Sequence, residues 1–266
     1  MPIRYESAGR LDLAANVIRP WGEDPALFCG FLGRGGGVSR GAFATLNLAP
    51  LVGDDEANVE TNWRRLLSAL PPHIVVSKLN QVHGNLVITA NRHTVRERLE
   101  ADGQVTAEPN LMLGIFTADC VPILLHDPGS NVVGAFHAGW RGVATDIANA
   151  GVAAMLHAGA QVSRLRAAIG PAIGACCFEV GDEVSERFRR EVPDSGPYIR
   201  PTGKAAKSII DLKGIIKTQL GRAGIDSGQI MDTGLCTKCH ADRFFSKRAV
   251  GGQATGLQLS FIGLRS

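Results

Sequence analysis

The chain has 266 residues, 45% hydrophobic and 20% charged, which suits a globular protein with a substantial core and excludes dominant disorder. Its formal charge of +3 comes from Lys and Arg spread along the chain rather than massed in one run, so no nucleic-acid partner is implied. Nothing reads as a targeting or spanning segment: charges interrupt residues 1–20, and the most apolar stretch, 111–125, is short and carries Asp119. The expectation is a cytoplasmic protein with no membrane partner, whose six cysteines are thiols or metal ligands.

The one glycine-dense run, GRGGG at 33–37, lacks the Lys-Ser/Thr of a Walker motif and is expected to form a flexible loop over a site. In the SRGAFATLNL segment that follows, Arg40 and Asn47 are candidates for phosphate or ribose contacts. Segments 73–78 and 85–90 are β-branched and predict strands, separated by Asn80-Gln81-Val82-His83-Gly84. Apolar runs at 111–117 and 121–126 have strand length, and 131–137 follows the turn signal Asp127-Pro128-Gly129-Ser130. Further along, the pattern predicts a helix over 143–158, a buried strand over 165–169, and helices over 181–190 and 212–220. Asp211 is placed to cap the last of these. No Pro- or Ser-rich linker and no internal repeat divides the chain, so residues 1–266 are expected to form one domain. Several strands precede the first expected helix, which disfavours a regular βαβ sheet and favours an α+β fold with a mixed sheet.

Three residues able to hold a borderline divalent metal stand at or near the ends of apolar segments: His83 in QVHG, Cys120 in FTADCVP and His137 in GAFHAGWRG. If the turn is the two residues Pro128-Gly129, Cys120 faces His137 with Cβ atoms ~5 Å apart; a longer loop shifts the register by one and sets His137 diagonally. A His, Cys, His set leaves one tetrahedral position of zinc free, the pattern of a catalytic rather than a structural site. Cysteines in apolar runs and lone histidines are also common core residues, so spacing alone leaves both readings open. Asp119 is a candidate orienting or acid/base group, although strand neighbours point to opposite faces. Arg141, before an expected helix, is a candidate for holding an anion or for stacking on Trp140. Cys236-x-x-Cys239-His240 superficially resembles haem attachment, which the lack of an export signal disfavours. A second structural zinc needs more ligands than this motif holds unless Cys176-Cys177 approaches it, so a reduced, packed cysteine cluster is expected there.

GGVSRGAFATLNL, VGDDEANVETNWRRL, QVHG, ADGQVT, FTADCVPILLHDP, HAGWRG, IGPAIGACCFEVGDEV and CTKCHADRFFSKR together resemble the laccase-domain family, nearly end to end. The family was formerly called polyphenol oxidase or multicopper-oxidase-like. Its bacterial members are described as purine nucleoside phosphorylases with adenosine deaminase and methylthioadenosine phosphorylase activity. The resemblance implies two packed mixed β-sheets flanked by helices, and a zinc ion held by His83, Cys120 and His137. The expected catalytic group is Cys120, Asp119 and Arg141, with substrate contacts expected from Arg40, Asn47 and Gln81; the expected ligands are purine nucleosides and inorganic phosphate, and the expected state is a monomer or weak homodimer. The chain departs from the family pattern at Leu51, Lys247 and Leu257, none of them in the triad. The competing readings are a zinc amidase editing peptidoglycan precursors, a copper oxidase and a non-catalytic scaffold. A multicopper centre needs many histidines, often as His-x-His pairs, and the seven histidines here include no such pair.

Overall fold

The computed structural model describes residues 11–97 and 99–266. Two mixed sheets pack face to face. One has the strand order β1 (Val17–Ile18), β2 (Leu27–Leu32), β14 (Gln258–Leu264), β6 (Leu111–Thr117) and β3 (Val75–Lys78). The other runs β13 (Ile230–Asp232), β9 (Arg166–Ile169), β7 (Val121–Asp127), β8 (Val132–Ala138), β5 (Gly103–Thr106) and β4 (Val87–Thr89). Each contains parallel and antiparallel pairs, as expected. A third, antiparallel sheet of β10 (Glu179–Gly181), β12 (Lys207–Ile210) and β11 (Ile199–Pro201) lies beyond the two-sheet expectation.

Helices α1 (Leu13–Asn16), α2 (Glu56–Ala69), α3 (Trp140–Ala144), α4 (Ile147–His157), α5 (Asp182–Glu191) and α6 (Leu212–Arg222) complete the described elements. None of the described helices is long and apolar enough to cross a membrane. Alternate residues of the central strands feed different cores. Leu124, Val133, Ala135 and Ala168 meet Leu113, Ile115, Phe31 and Ile262 between the two large sheets. Ile123, Leu125, Phe136 and Ile169 face the other way, into a core with Val152, Phe188 and Ile216 of the outer helices. Both faces of these strands are therefore buried, and apolar runs without polar alternation are the result. On the far side, Met112, Phe116 and Phe261 pack with Leu66 of α2.

Three local expectations are corrected. Helix α2 precedes most strands, so the mixed pairing, and not strand-first order, establishes the class. Its sequence carries a helical signal that a strand-first reading passes over: Asp55 caps it, and Val59, Trp63 and Leu66 recur at helical spacing. The helix expected at 143–158 is broken: Asp146 adopts a left-handed conformation (φ 61°) and its side chain accepts from Asn149 N to start α4. Helix α3 is left with five residues. The GRGGG run is not a loop over a site. Gly33 N donates to Asn16 O, Arg34 N to Arg243 O, and a Cβ on Gly37 would stand 2.1 Å from Thr45 O.

The β7–β8 register is also corrected. Pro122 pairs with His137 and Asp127 with Val132, so residues 128–131 form the loop and Cys120 lies beyond the end of β7. The cause is Asp127. Its carboxylate, fully buried, accepts from Gly129 N, Ser130 Oγ and Gln161 N and takes both ends of the Arg164 guanidinium at 2.9 and 3.0 Å. That network builds a longer turn around the aspartate, with Asn131 in the left-handed region, and a two-residue hairpin turn is not formed.

Candidate metal centre

Despite the register, three chain segments bring His83, Cys120 and His137 together. Their ligand atoms lie within 4.8 Å of one another. His137 sits on β8, 3% exposed. Cys120 follows a bend in which Asp119 has φ 95° and its carbonyl accepts from Ile173 N at 2.9 Å. His83 comes from the loop after β3, with φ 61° and its ring 4.8 Å from that of His137.

The residue that organises them is Asp102, fully buried just before β5. Its Oδ1 lies 2.7 Å from His137 Nδ1 and accepts from His83 N at 2.9 Å; Oδ2 accepts from Val82 N and Gly84 N at 3.2 and 2.6 Å. Three successive N–H groups form a nest for the carboxylate, and the positive φ of His83 permits it. With Nδ1–H directed at Asp102, His137 presents Nε2 to Cys120 and His83, the carboxylate–histidine arrangement that fixes a metal-ligand tautomer. Asp102 lies within ADGQVT, but a lone Asp flanked by Ala and Gly reads as a turn residue, so its role was not legible.

The donor set suits a cation. Burial alone would raise the Cys120 thiol, but the charge of His137 and hydrogen bonds from His137 and His83 outweigh it and bring it down to about 6. Burial alone would lower His137, yet the Cys120 thiolate and Asp102 hold it up at about 9. Burial likewise works against the Asp102 carboxylate, and its bonds to His137, Gly84 and His83 overcome that and lower it. A thiolate–imidazolium pair with a carboxylate behind it is a site whose shared positive charge a divalent ion can replace. Gly139 leaves the room: a Cβ there would stand 2.5 Å from His83 Nδ1 and 3.4 Å from Cys120 Sγ.

The three residues line a cavity of about 1310 Å³ whose wall includes Leu51, Gln81, Phe116, Thr117, Asp119, Lys247, Arg248 and Leu257. This exceeds the ~300–1,000 Å³ of ordinary ligand pockets. All three departures from the family pattern, Leu51, Lys247 and Leu257, thus face the cavity. Thr117 Oγ1 is buried with no hydrogen-bond partner among the described residues, a wall group the sequence did not signal.

The remaining expected site residues divide. Gln81 lines the cavity, but its amide is bound at both ends to the Phe116 backbone, at 2.8 Å each way, so it shapes the wall. Asp119 lines it too, with its oxygens taken by Thr237 Oγ1 at 2.6 Å and Arg248 N at 2.7 Å; it positions the turn that carries Cys120. Asn47 is fully buried and bonded to Ala49, Asp54 and Leu257, which leaves it no reach to a ligand. Arg40 stands at the start of a short 3-10 turn, without a side-chain capping bond and outside the cavity lining. Arg141 is exposed, also outside the lining, with its guanidinium 4.4 Å over the Trp140 ring. This is the stacked arrangement on the neighbouring indole. Among the described residues, the cationic side chains that line the cavity are Lys78, Arg96, Lys247 and Arg248.

Residues 28–265 match the family described as multi-copper polyphenol oxidoreductase laccase. A purine nucleoside phosphorylase of Deinococcus radiodurans is 39% identical over 235 residues, 88% of each chain. A protein from an unknown prokaryotic organism named adenosine deaminase RL5 is 34% identical, covering 82% of this chain and 87% of its own. Among solved structures, YlmD of Geobacillus stearothermophilus superposes with a TM-score of 0.85 at 34% identity, covering 94% of this chain and 97% of that one. The Bacillus licheniformis protein YfiH gives 0.86 at 33% identity, covering 99% of each chain. On its sequence, its fold and the extent of both matches, the chain belongs to the laccase-domain family.

Proposed function

We propose that the protein is a zinc-dependent purine nucleoside phosphorylase that also deaminates adenosine and cleaves methylthioadenosine. The observation that carries this reading is the convergence of His83, Cys120 and His137 on one wall of the large cavity, with Asp102 behind them. The support for the substrate class is the naming of relatives as purine nucleoside phosphorylases and as an adenosine deaminase. Three protein donors leave a zinc ion one position for water or substrate. When bound, zinc supplies Lewis acidity and a water ionised near neutral pH, the nucleophile needed at C6 of adenosine. A blue-copper arrangement would add a weak axial Met, and no methionine is among the described residues lining the cavity.

The chain's own groups have distinct tasks. Asp102 holds His137 in the tautomer that frees Nε2. Asp119 is committed to Thr237 and Arg248, so it fixes the Cys120 turn and moves no proton. Phe116 and Leu257 offer apolar surface to a purine, and Thr117 Oγ1 offers it a hydrogen bond. In the phosphorylase reaction phosphate attacks C1′ of the ribose as the base departs. The lining cations, Lys247 in particular, replace Arg141 as the proposed phosphate contacts. Zinc-loaded protein incubated with adenosine, inosine and methylthioadenosine, with and without phosphate, tests this by chromatography. Ribose-bond cleavage should require phosphate and deamination should not. Inosine cleavage that proceeds equally in phosphate-free buffer would replace phosphorolysis with hydrolysis.

A further inference from the structure

Cys176, Cys177, Cys236 and Cys239 do not line the cavity. Their four sulfurs lie within 4.8 Å of one another, with Cys239 Sγ 3.5 Å from both Cys176 Sγ and Cys177 Sγ. We propose that these four cysteines form a second metal site that binds one tetrahedral zinc ion and locks the catalytic turn in place.

The distances fit this ion. With Zn–S bonds of ~2.3 Å, the edge of a tetrahedral tetrathiolate is about 3.8 Å, within the observed spread. Sulfurs this close converge on a single ion, whereas an iron–sulfur cluster distributes its thiolates over several irons. Four protein donors close the coordination shell, so the site is structural where the cavity site is open. The backbone is already arranged for a thiolate: Gly174 N donates to Cys236 Sγ at 3.3 Å, and Ala172 bridges to Cys236 in a short parallel pairing. A zinc tetrathiolate carries a net negative charge, and the nearby Arg248 donates Nη1 to the Cys177 and Glu179 carbonyls.

Its consequence reaches the cavity. Thr237, inside the Cys236–Cys239 turn and fully buried, donates Oγ1 to Asp119 at 2.6 Å, next to Cys120. The Arg248 main-chain N–H holds the other oxygen of Asp119. A zinc ion joining 176–177 to 236–239 therefore fixes the segment that orients Asp119, and through it the ligand Cys120. Each bound thiol releases its proton on metal binding.

The test is metal and thiol analysis of full-length protein purified without chelator. Two zinc ions per chain are expected, one remaining in Cys120→Ala and one in the double variant C176S/C239S. Cobalt-substituted Cys120→Ala should show the intense sulfur-to-cobalt charge transfer of a tetrahedral tetrathiolate, a readout that survives if the double variant fails to fold. Cys120→Ala protein with no metal and four freely reactive thiols at these positions would overturn the proposal, as would a disulfide among them in freshly purified protein. Failure of the cavity reading looks different, since the parent and Cys120→Ala would then hold the same number of ions.

Discussion

The two ligand clusters differ in donors and in access. The cavity cluster combines two imidazoles with one thiolate, has a buried carboxylate behind it and opens onto a space large enough for a nucleoside. The cysteine cluster has sulfur donors only, and none of its four residues lines that space. On the proposed reading, the number of donors and what stands in front of them separate a reactive centre from a brace. Asp119 links the two, one residue from Cys120 and bonded to Thr237 between Cys236 and Cys239.

The sharpest way to break the cavity cluster without replacing a ligand is Gly139→Val. Its Cβ would stand 2.5 Å from His83 Nδ1, so His83 must move, while Cys236 and its partners are untouched. Nucleoside turnover should fall by more than about a hundredfold, beyond the usual effect of an outer partner, with loss of the cavity metal alone. Near-normal turnover would show that His83 has room to retreat and is not held where it stands.

Asp102→Asn comes next. It removes the charge that sets the His137 tautomer, and metal affinity should drop roughly 10- to 100-fold by competition with a chelator. An unchanged affinity would assign Asp102 to folding alone.

The three residues of the cavity cluster were legible because short motifs mark them: QVHG, TADC and HAGW each carry one. The register that joins them was not. Asp127 builds a turn of residues 128–131, and no local pattern reveals that its carboxylate is claimed from Gln161 and Arg164, far along the chain. Arg141 stacks on Trp140 outside the cavity lining, and the left-handed Asp146 that leaves α3 with five residues has no local signal. The cysteine quartet was half legible. Cys236-x-x-Cys239 is a metal spacing, but its completing pair lies 63 residues away at Cys176, a distance that only tertiary structure closes. The apolar runs of β6, β7 and β9 were legible as strands, since burial on both sides leaves few polar residues in them.

Smaller effects sharpen the boundary of the cavity. Lys247→Ala should weaken the apparent phosphate affinity about tenfold, the size of one charge-assisted contact, and Arg141→Ala should leave it unchanged. Phosphate dependence of inosine cleavage on the two variants decides between them, and the opposite ranking would return the anion to α3.

A different effect concerns the frame far from either cluster. Burial, then the charge of Arg166, pushes His126 from its ordinary 6.5 down to about 4. The unfolded chain therefore takes up a proton below pH 6.5 that the folded chain refuses until about pH 4. Stability should fall as pH drops through that window, by at most about 3 kcal/mol, and then stop responding to this group. Asp127, held below the usual carboxylate range by Arg164 and backbone donors despite its burial, extends the loss to lower pH. Denaturant midpoints of His126→Gln should lose the slope between pH 6.5 and 4; a slope identical to that of the parent chain would place the acid sensitivity elsewhere.

The central claim is that His83, Cys120 and His137 hold one zinc ion at the cavity. Elemental analysis of parent, Cys120→Ala and His137→Ala proteins tests it most directly, with folding checked by circular dichroism. Each variant should contain one zinc ion per chain fewer than the parent and lose nucleoside turnover while remaining folded. Full zinc content in both folded variants would contradict the claim and remove the metal from this site.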